Sequence, residues 1–465
     1  MLSKNTHIHF MGIGGIGMSA IAKVLKERGY RVSGCDNDLE QKSVKQLQEL
    51  GCPIAGTHSS TLCHDQSIDV LVYSAAVNLN HPELLHAHRR QIPVVPRARM
   101  LAELMRAHYG IAVAGAHGKT TTTAMVSHIL LEAGLDPTVI IGGFLKNIGT
   151  NGRRGTGDLL VAEADESDKS LSYLPASFAV VTNIDREHLD TYKDLDEIIA
   201  TFKQFLDNLP FYGKAIMCVD DPVIHSILPT IPHIKTVRYG LEHEAHVSAA
   251  DIVFERDGTR SMLVLDGVPR AQLVVPVAGK HNLLNALAAI AVTLEVGVTL
   301  ELAVSALATF AGVERRFCCH GTFRGASVFD DYAHNPPKIA CALQVARART
   351  AGRLIVVFQP HRYSRTHHLW QEFIQTFIAG NIDELIITDI YSASEAPIAG
   401  ITSEQFAQDL KLEKPDFSVH YIPQNSDFGA VIAHLESHVQ TDDLILILGA
   451  GNVYKIAGQL VQKET

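Results

Sequence analysis

A short glycine-containing loop constrains the fold of this chain more than any other feature. Residues 111–114 (I-A-V-A) form an apolar run that predicts a buried strand, and residues 115–120 read G-A-H-G-K-T. A segment with helical spacing follows at residues 121–133. Strand, glycine loop, Gly-Lys-Thr and helix are typical of a phosphate-binding loop, in which backbone N–H groups and the helix N-terminus attract phosphate. In such a loop Lys119 reaches the β- and γ-phosphates and the Thr120 hydroxyl holds Mg²⁺.

The spacing of this loop departs from the standard pattern G-x-x-x-x-G-K-[ST]. Val113 stands where that pattern has its first glycine, and the chain has the tighter G-x-x-G-K-T instead. The alternative is a helix N-terminus with an exposed lysine and a threonine-rich first turn. The strand before the loop and the helix after it favour the phosphate-binding interpretation.

The composition indicates a globular protein of several domains. A chain of 465 residues is too long for one core and predicts roughly three domains. Apolar residues make up 46% and charged residues 19%, which suits large buried cores. The 40 basic and 50 acidic residues give a net charge of −10, which argues against a nucleic-acid partner. Positive charge for a polyphosphate must therefore be concentrated locally, as at Lys119, Arg315 and Arg316.

Cysteines and apolar runs bear on the location of the protein. Seven cysteines are spread along the chain without C-x-x-C spacing, as expected in a reducing compartment. The first ten residues lack the apolar core of a signal peptide, and no run of about eighteen apolar residues predicts a membrane span. We therefore expect a cytoplasmic protein without a membrane partner.

A second glycine loop lies near the start of the sequence. Residues 7–11 predict a strand, residues 12–17 read G-I-G-G-I-G, and residues 18–28 have helical spacing. Asp36 follows the next predicted strand at about the distance from which an acidic residue bonds a ribose hydroxyl. This β-α-β pattern predicts a diphosphate beside a ribose without naming the base, so NAD and a UDP-sugar both remain open. A glycine turn without a ligand is the alternative.

Other strand ends of this first region carry candidate ligand contacts. Residues 68–73 predict a strand that leads to Ser74, and His58 and Arg97 lie at or near further strand ends, where open parallel sheets bind ligands. Solvated surface residues are the alternative for His58 and Arg97. The two prolines of residues 92–99 predict a linker into the next domain.

Two polar clusters follow predicted strands in the middle of the chain. Residues 159–162 lead into E-A-D-E-S-D at residues 163–168, and residues 178–182 lead into N-I-D-R-E-H-L-D at residues 183–190. Carboxylates gathered at strand ends are costly unless a cation or water compensates them. Mg²⁺ takes a few hard oxygen ligands together with phosphate, so these clusters predict a magnesium site. A solvated acidic loop is the alternative for either cluster alone.

Further motifs follow towards the C-terminus. G-K-H-N-L-L-N at residues 279–285 leads into an apolar helix that Asn282 is expected to cap. Arg315 and Arg316 mark a crossover into a last domain, where paired arginines can clamp a transferring phosphoryl group. A further doubly wound sheet is predicted by strands that alternate with helices, at residues 328–331, 354–358, 384–391, 418–422 and 443–448.

In combination these motifs resemble the Mur ligases. The shared stretches are G-I-G-G-I-G-M-S, G-A-H-G-K-T-T-T-T, E-A-D-E-S-D, T-N-I-D-R-E-H-L-D-T-Y, L-P-F-Y-G, D-D-Y-A-H, F-Q-P-H-R-Y-S-R-T and G-A-G-N. They cover nearly the whole chain and are most similar to the branch that adds L-alanine to the lactyl carboxylate of UDP-N-acetylmuramate. The resemblance implies a cytoplasmic ATP-dependent ligase with an α/β fold in three domains. These are an N-terminal Rossmann-like domain (residues 1–106), a central P-loop ATPase-type domain (residues 107–313) and a C-terminal Rossmann-like doubly wound domain (residues 314–465).

The resemblance also implies a role for individual residues. Catalysis would use Lys119, Glu163, His188 and Arg316, and Mg²⁺ would be held by Thr120, Glu163 and His188. ATP would contact Gly115, Ala116, His117, Gly118, Lys119, Thr120, Thr121, His281, Asn282, Asn285, Arg316 and Asp331. The UDP-sugar would contact Gly12, Gly14, Gly15, Gly17, Met18, Ser19, Asp36, His58, Ser74 and Arg97. L-Alanine would be held by His334, Arg362 and Arg365, because an arginine fork suits a planar carboxylate.

The implied partners are UDP-N-acetylmuramate, L-alanine and ATP, without nucleic acid or membrane, in a monomer or weak homodimer. Asn335 departs from the family, which usually has a second histidine at that position. Two rival interpretations are a family member that adds a whole peptide during wall recycling, and an NAD-dependent dehydrogenase with an extra domain. Because three ligand sites must converge, closure of the domains is also expected.

Overall fold

The computed structural model describes residues 4–57, 63, 65–74, 77–187, 191–393, 395–425 and 427–463. Apolar strands alternate with helices along these residues and assemble into three sheets, so the predicted α/β class is confirmed. The chain divides into two units, Met1–Val313 and Glu314–Thr465, which are described in turn. Of the two predicted limits between domains, the one at 313/314 coincides with this division, whereas the one at 106/107 falls inside the first unit. The limits themselves stay a prediction.

The first sheet is parallel throughout. Its strands are β1 (His7–Met11), β2 (Arg31–Cys35), β3 (Ile54–Ala55), β4 (Val70–Tyr73) and β5 (Val94–Pro96). Its helices are α1 (Ile16–Glu27), α2 (Lys42–Glu49), α3 (Pro82–Arg89) and α4 (Arg97–Met105). The strand order β3-β2-β1-β4-β5 reverses direction at β1, and ligands of such sheets bind beyond the carboxyl ends of the strands at that point.

The central sheet belongs to the same unit. Its strands are β6 (Tyr109–Ala114), β7 (Thr138–Leu145), β8 (Thr150–Arg153), β9 (Leu159–Glu163), β10 (Phe178–Val181), β11 (Lys214–Cys218), β12 (Thr236–Tyr239), β13 (Val247–Phe254), β14 (Thr259–Leu265) and β15 (Val268–Val275). Its helices are α5 (Lys119–Glu132), α6 (Leu195–Asp207), α7 (Pro222–Ile227), α8 (Lys280–Glu295) and α9 (Leu300–Ala308), with short 3₁₀ turns at Ser170–Tyr173 and Leu228–Thr230. The order is β15-β14-β13-β12-β11-β10-β6-β9-β7-β8, in which β13 to β15 and the pair β7–β8 are antiparallel.

The last sheet forms the second unit. Its strands are β16 (Cys318–Phe323), β17 (Ala326–Asp331), β18 (Leu354–Phe358), β19 (Glu384–Ile387), β20 (Val419–Tyr421) and β21 (Leu444–Leu448). Its helices are α10 (Pro336–Arg349), α11 (Tyr363–His368), α12 (Trp370–Ala379), α13 (Ser403–Glu413), α14 (Gly429–His438) and α15 (Lys455–Gln462). The order is β16-β17-β21-β18-β19-β20, parallel except for β16, and separate apolar clusters cover its two faces.

The first two sheets share one hydrophobic core, which explains why residues 1–313 form a single unit. Helix α1 lies between them and contacts both α4 and the strands β7 and β8. Asn151 of β8 donates from Nδ2 to the Ile16 carbonyl (2.7 Å) and to Ser19 Oγ (2.8 Å). The first glycine loop, which directly precedes α1, is therefore fixed against the central sheet.

The predicted linker at residues 92–99 is wrong. These residues form β5 and the first turn of α4, and Pro96 is both the last residue of β5 and the N-cap of α4. Because β5 is the edge strand of its sheet, Pro96 leaves the ladder intact on the paired side.

Two helix starts also differ from the prediction. Helix α5 begins at Lys119 rather than residue 121, because Gly118 (φ +83°) supplies the left-handed turn at its N-cap. The N-cap of α8 is Gly279, so Asn282 is not the cap; its Nδ2 donates to the Ala278 carbonyl instead (2.7 Å). Among the helices of the described residues, none combines the length and the apolar character that crossing a bilayer requires.

Candidate active site

The phosphate loop joins β6 to α5 and is held from the end of β10. The Thr182 hydroxyl donates to the His117 carbonyl (2.6 Å), and the His117 N–H donates to Asn183 Oδ1 (2.8 Å). His117 Nε2 lies 3.2 Å from Asp185 Oδ2. The second polar cluster therefore shapes the middle of the loop. The first N–H groups of α5, which a helix cannot satisfy internally, are donors for an anion.

Gly115 occupies a position that a larger residue cannot fill. It has φ +130°, and a Cβ there would lie 2.2 Å from Thr182 Oγ1 and 2.9 Å from the Asn183 carbonyl oxygen. Gly134, beyond the other end of α5, has φ +71° but no atom within 4 Å of an added Cβ. Alanine substitutions at Gly115 and Gly134 therefore distinguish the free-energy cost of a positive φ from the cost of steric crowding.

We expect Gly115→Ala to lower the free energy of unfolding by about 1–3 kcal/mol more than Gly134→Ala. Both substitutions carry the left-handed strain, but only the first overpacks its surroundings. Urea denaturation of the two variants measures the difference. Equal losses would show that the loop adjusts freely around residue 115.

Lys119 is anchored by a buried carboxylate. Its Nζ donates to both oxygens of Glu166 (2.8 and 2.9 Å) and to the Gly115 carbonyl. Burial alone would lower the pKa of Lys119, but the carboxylates of Glu166, Asp165 and Glu163 outweigh it and hold the pKa above its ordinary value. Lys119 therefore stays positively charged at neutral pH, at the start of the helix where the loop motif needs a cation.

Thr120 and Glu163 form an oxygen pair beside this lysine. Thr120 Oγ1 donates to Glu163 Oε2 (2.8 Å), which also accepts the N–H of Gly142 (3.0 Å). A Cβ at residue 142 would come within 2.2 Å of Glu163 Oε2, so the glycine makes room for the carboxylate. A carboxylate and a hydroxyl next to a phosphate loop are hard oxygen donors, which fit Mg²⁺. The other predicted metal ligand, His188, lies outside the described residues.

Asp36 braces the first glycine loop. The N–H groups of Gly12 and Ile13 donate to the Cys35 carbonyl (2.9 and 3.1 Å), and the N–H of Gly14 donates to Asp36 Oδ2 (2.8 Å). Gly12 has φ +74°, which favours glycine. The carboxylate of Asp36 thus supports the loop backbone, and its contact with a ribose stays a prediction.

The other residues predicted for the sugar nucleotide differ in position. Met18 and Ser19 are buried in α1, where Ser19 Oγ donates to a carbonyl of the preceding turn (3.0 Å). Ser74 follows β4, and a Cβ at Gly12 would lie 3.4 Å from its Cβ. His58 is outside the part of the chain that the structure describes.

Arg97 connects the two glycine loops. An added Cβ at Gly17 would lie 3.3 Å from its Nη1, and its Nη2 donates to Asp165 Oδ2 (3.3 Å). Burial would raise the pKa of Asp165, but Arg97 and Lys119 outweigh it and lower the pKa to about 2. Arg97, Asp165 and Lys119 thus form a charged path from one loop to the other. Asp165 and Glu166 are site candidates that the motifs did not single out; their only signal is membership of the acidic cluster at residues 163–168.

The N-terminus of α8 also abuts the phosphate loop. A Cβ at Gly118 would lie 2.5 Å from Asn285 Oδ1, and Thr122 Oγ1 donates to the same oxygen (3.1 Å). Asn285 Nδ2 in turn donates to Asn282 Oδ1 (3.3 Å), and His281 is exposed beside them. The structure thus brings Asn285 to the loop, and the predicted contacts with adenine stay predictions.

In the second unit, Arg315 is fixed where β17 and β21 end. It has φ +60°, and its Nη2 donates to the carbonyls of Gly449 (2.9 Å) and Gly451 (3.1 Å). Its guanidinium lies over the rings of Tyr332 (4.9 Å) and Tyr454 (4.3 Å). Because these hydrogen bonds and ring contacts engage Arg315, Arg316 is the better candidate to bind a phosphoryl group.

Arg316 and Asp331 are the second unit's residues predicted for ATP. The Arg316 guanidinium lies 5.3 Å from the centre of the Tyr332 ring. Asp331 accepts the N–H groups of Phe317 (2.8 Å) and Ala333 (2.7 Å). Burial raises the pKa of Asp331 to about 6, against the opposing effects of Arg316 and of these two bonds.

We expect the carboxyl of Asp331 to titrate with a midpoint near pH 6. The folded protein then binds more protons than the unfolded chain between about pH 4 and pH 6, so this group's contribution to stability falls as the pH rises through that window. A ¹³C carboxyl titration, assigned with Asp331→Asn, measures the midpoint. A midpoint near 4, together with no difference between the two proteins in the pH dependence of unfolding, would contradict it.

The residues predicted for L-alanine gather where β18 ends. Arg362 Nε donates to the Glu395 carboxylate, and Arg365 Nη1 donates to the His361 carbonyl (3.2 Å). The rings of His361 and His334 are 6.0 Å apart. Burial and nearby cations, Arg365 among them, hold the pKa of His334 well below its ordinary value. Glu395 is a further candidate that no local pattern indicates.

Asn335, the departure from the family pattern, has a structural role. Its side chain accepts the N–H of Lys338 (3.2 Å) and so caps α10, which begins with Pro336. The residue is 4% exposed. Asn335, which stands where the family usually has a histidine, therefore stabilises the start of α10 beside His334.

Two glycine loops in one unit, an anchored loop lysine and an arginine–histidine cluster in a second unit define an α/β nucleotide-dependent enzyme. Three family models match the chain: "Mur ligase family, catalytic domain" at residues 7–109, "Mur ligase middle domain" at residues 113–293 and "Mur ligase, glutamate ligase domain" at residues 315–451. The chain belongs to the Mur ligase family, whose members are ATP-dependent ligases.

Two relatives that share one name are similar to this chain over nearly its whole length. The chain is 47% identical over 463 residues to UDP-N-acetylmuramate–L-alanine ligase of Syntrophotalea carbinolica, with 99% of each chain covered. It is 46% identical to the enzyme of the same name from Geotalea uraniireducens, covering 100% of this chain and 99% of that one.

Solved structures agree with the architecture. UDP-N-acetylmuramate-alanine ligase from Thermotoga maritima matches with a TM-score of 0.82 and 27% identity over 99% of both chains. A murein peptide ligase from Psychrobacter arcticus has the same fold, with a TM-score of 0.76 and 24% identity over 98% of both chains. The predicted three-domain α/β architecture and family membership are confirmed.

Proposed function

We propose that this protein joins L-alanine to the lactyl carboxylate of UDP-N-acetylmuramate, converting ATP to ADP and phosphate. The product, UDP-N-acetylmuramoyl-L-alanine, is the first peptide-bearing precursor of peptidoglycan. Relatives that align over nearly the full chain at 42–47% identity carry the name of this activity. The structural observation that supports the proposal is the charged path from Gly17 through Arg97 and Asp165 to Lys119. It links the first glycine loop to the phosphate loop, as a reaction between a sugar nucleotide and a triphosphate requires.

The first step forms an acyl phosphate. An oxygen of the lactyl carboxylate attacks the γ-phosphorus of ATP, the bond to the bridging oxygen breaks, and ADP leaves. Such a reaction needs positioning and charge stabilisation rather than covalent help from the protein. Lys119 and the N-terminus of α5 stabilise the negative charge on the phosphates, and Arg97 positions the sugar nucleotide. When bound by Thr120 and Glu163, Mg²⁺ would neutralise charge on the phosphate oxygens.

The second step forms the amide. The ammonium group of L-alanine first loses a proton to solvent, and the resulting amine attacks the acyl carbon. The bond from that carbon to the phosphate oxygen breaks, phosphate leaves, and the nitrogen releases a second proton to water. Arg362 and Arg365 hold the alanine carboxylate through paired N–H donors. The low pKa of His334 keeps its ring neutral, so it does not repel an incoming ammonium group. We place the enzyme in the cytoplasm, where ATP and nucleotide sugars occur, as a monomer or weak homodimer.

Product analysis with competing substrates tests the proposal. With ATP, Mg²⁺ and UDP-N-acetylmuramate, we expect rapid ADP release with L-alanine and little with the murein tripeptide. Mass spectrometry should find the alanyl product. Turnover with the tripeptide but not with alanine would favour the recycling ligase, and reduction of a nicotinamide without ATP consumption would favour the dehydrogenase.

A further inference from the structure

A histidine–carboxylate cluster lies on one face of the last sheet, independently of the proposed function. Glu384 is the first residue of β19, and the register pairs Ile386 with His420 of β20. Side chains alternate along a strand, so Glu384, Ile386 and His420 lie on the same face. Ile386 packs in one apolar cluster with Leu435, so α14 covers this face and brings His434 to it.

The three polar side chains converge on one carboxylate oxygen. His434 Nε2 lies 2.5 Å from Glu384 Oε1, and His420 Nε2 lies 3.8 Å from the same oxygen. One ligand atom from each of the three residues lies within 4.8 Å of the others. The ring of His438, one turn along α14, stacks on His434 with centres 4.3 Å apart and holds its orientation.

Accessibility differs across the cluster in a useful way. The Glu384 side chain is 8% exposed and that of His434 is 17% exposed, whereas that of His420 is 43% exposed. The carboxylate is therefore largely shielded from solvent, whereas the His420 side of the cluster is open to it. An ion could enter from that side and retain water in its remaining coordination positions.

The donor set identifies the class of ion. Two imidazoles and one carboxylate suit Zn²⁺ and its first-row neighbours, whereas Mg²⁺ and Ca²⁺ prefer oxygen alone. Zinc binds imidazole nitrogen and carboxylate oxygen at about 2.0–2.2 Å, which separates tetrahedral ligands by roughly 3.3 Å. The observed separations on either side of that value need only small side-chain rotations to reach it.

We propose that Glu384, His420 and His434 form a binding site for a divalent transition-metal ion of the Zn²⁺ type. Within its unit the site lies near the start of β19, whereas Arg362 and Arg365 follow the carboxyl end of β18. Because β18 and β19 are parallel, the start of β19 and the carboxyl end of β18 lie at opposite ends of the strands. The ion is thus a structural or regulatory ligand of the second unit, and it does not belong to the alanine cluster.

Zn²⁺ titration of the full chain, without a polyhistidine tag, tests the site. Binding is measured by calorimetry in excess Mg²⁺. The Mg²⁺ competes for oxygen-donor sites such as the one proposed near Thr120, so that the added Zn²⁺ binds at sites with imidazole ligands. We expect the wild-type protein to bind one Zn²⁺ ion. Glu384→Gln should weaken this binding at least about tenfold, because even residues that only hydrogen-bond to metal ligands change metal affinity by that factor. His233→Ala, which removes a surface histidine paired with Asp207 (2.9 Å), should leave this binding unchanged.

A spectroscopic readout separates ligation from a change in folding. Cu²⁺ bound to the wild type should show hyperfine coupling to two imidazole nitrogens in its electron paramagnetic resonance spectrum, and His434→Ala should show coupling to one nitrogen at most. His420→Gln, at the more exposed histidine, gives a second variant if His434→Ala does not fold. Equal Zn²⁺ binding and unchanged spectra in all variants, or absence of binding in the wild type, would overturn the proposal and leave the cluster as an ion pair.

Discussion

Replacing Lys119 with alanine is expected to lower kcat for ligation by about a thousandfold, because the phosphate loop loses its fixed cation where charge develops on the transferring phosphoryl group. The geometry supports a large effect. Lys119 is held by two bonds to Glu166 and one to the Gly115 carbonyl, so its position is already set before the reaction. Steady-state measurement of ADP release and alanyl product gives the ratio directly.

The substitution also leaves a buried carboxylate without its lysine, which on its own costs about 3–5 kcal/mol in stability. The double variant Lys119→Ala/Glu166→Gln removes that charge and controls for it. We expect the double variant to regain stability in urea denaturation but not activity. Recovery of activity along with stability would mean that Lys119 has a structural role only, and near-normal turnover in the single variant would contradict the mechanism.

Glu163→Gln is expected to reduce kcat by about a hundredfold or more and to raise the Mg²⁺ concentration needed for half-maximal rate. The amide oxygen of glutamine can still accept the bonds from Thr120 and from the Gly142 N–H, so the local shape is kept while the negative charge is lost. Measuring the rate as a function of Mg²⁺ concentration separates this effect from misfolding.

Glu295→Gln is the matched control for that substitution, because Glu295 pairs with Lys214 at the end of α8 and serves no proposed ligand. It should leave both the rate and the Mg²⁺ dependence unchanged. If Glu163→Gln lowers the rate equally at all Mg²⁺ concentrations, Glu163 does not hold the ion and the predicted metal site is wrong.

Both glycine loops could be predicted from the sequence because their signals are local. Gly12, Gly115 and Gly118 each have a positive φ beside an apolar strand, and the residue order alone carries that information. The sheets built from these β-α units could also be predicted, because apolar runs alternate with segments of helical spacing along the sequence. Even the acidic clusters were correctly expected near the phosphate loop, because parallel strands end at one edge.

Partner choice between distant residues could not be predicted in the same way. Glu166 binds Lys119 across 47 positions of the chain, and Glu395 binds Arg362 across 33. Each choice depends on burial and on the path of the intervening chain, which a local pattern does not contain. The edge strand at residues 94–96 was missed for a related reason: prolines usually mark loops, and only the position at the sheet edge makes them compatible with a strand.

An oxygen-isotope experiment tests most directly whether the two nucleotide loops serve one reaction. UDP-N-acetylmuramate labelled with ¹⁸O in both lactyl carboxylate oxygens is turned over with ATP and L-alanine, and the released phosphate is analysed by mass spectrometry. If the carboxylate attacks the γ-phosphorus, each phosphate carries one ¹⁸O atom. Phosphate without the label, alongside normal formation of the alanyl product, would contradict the account.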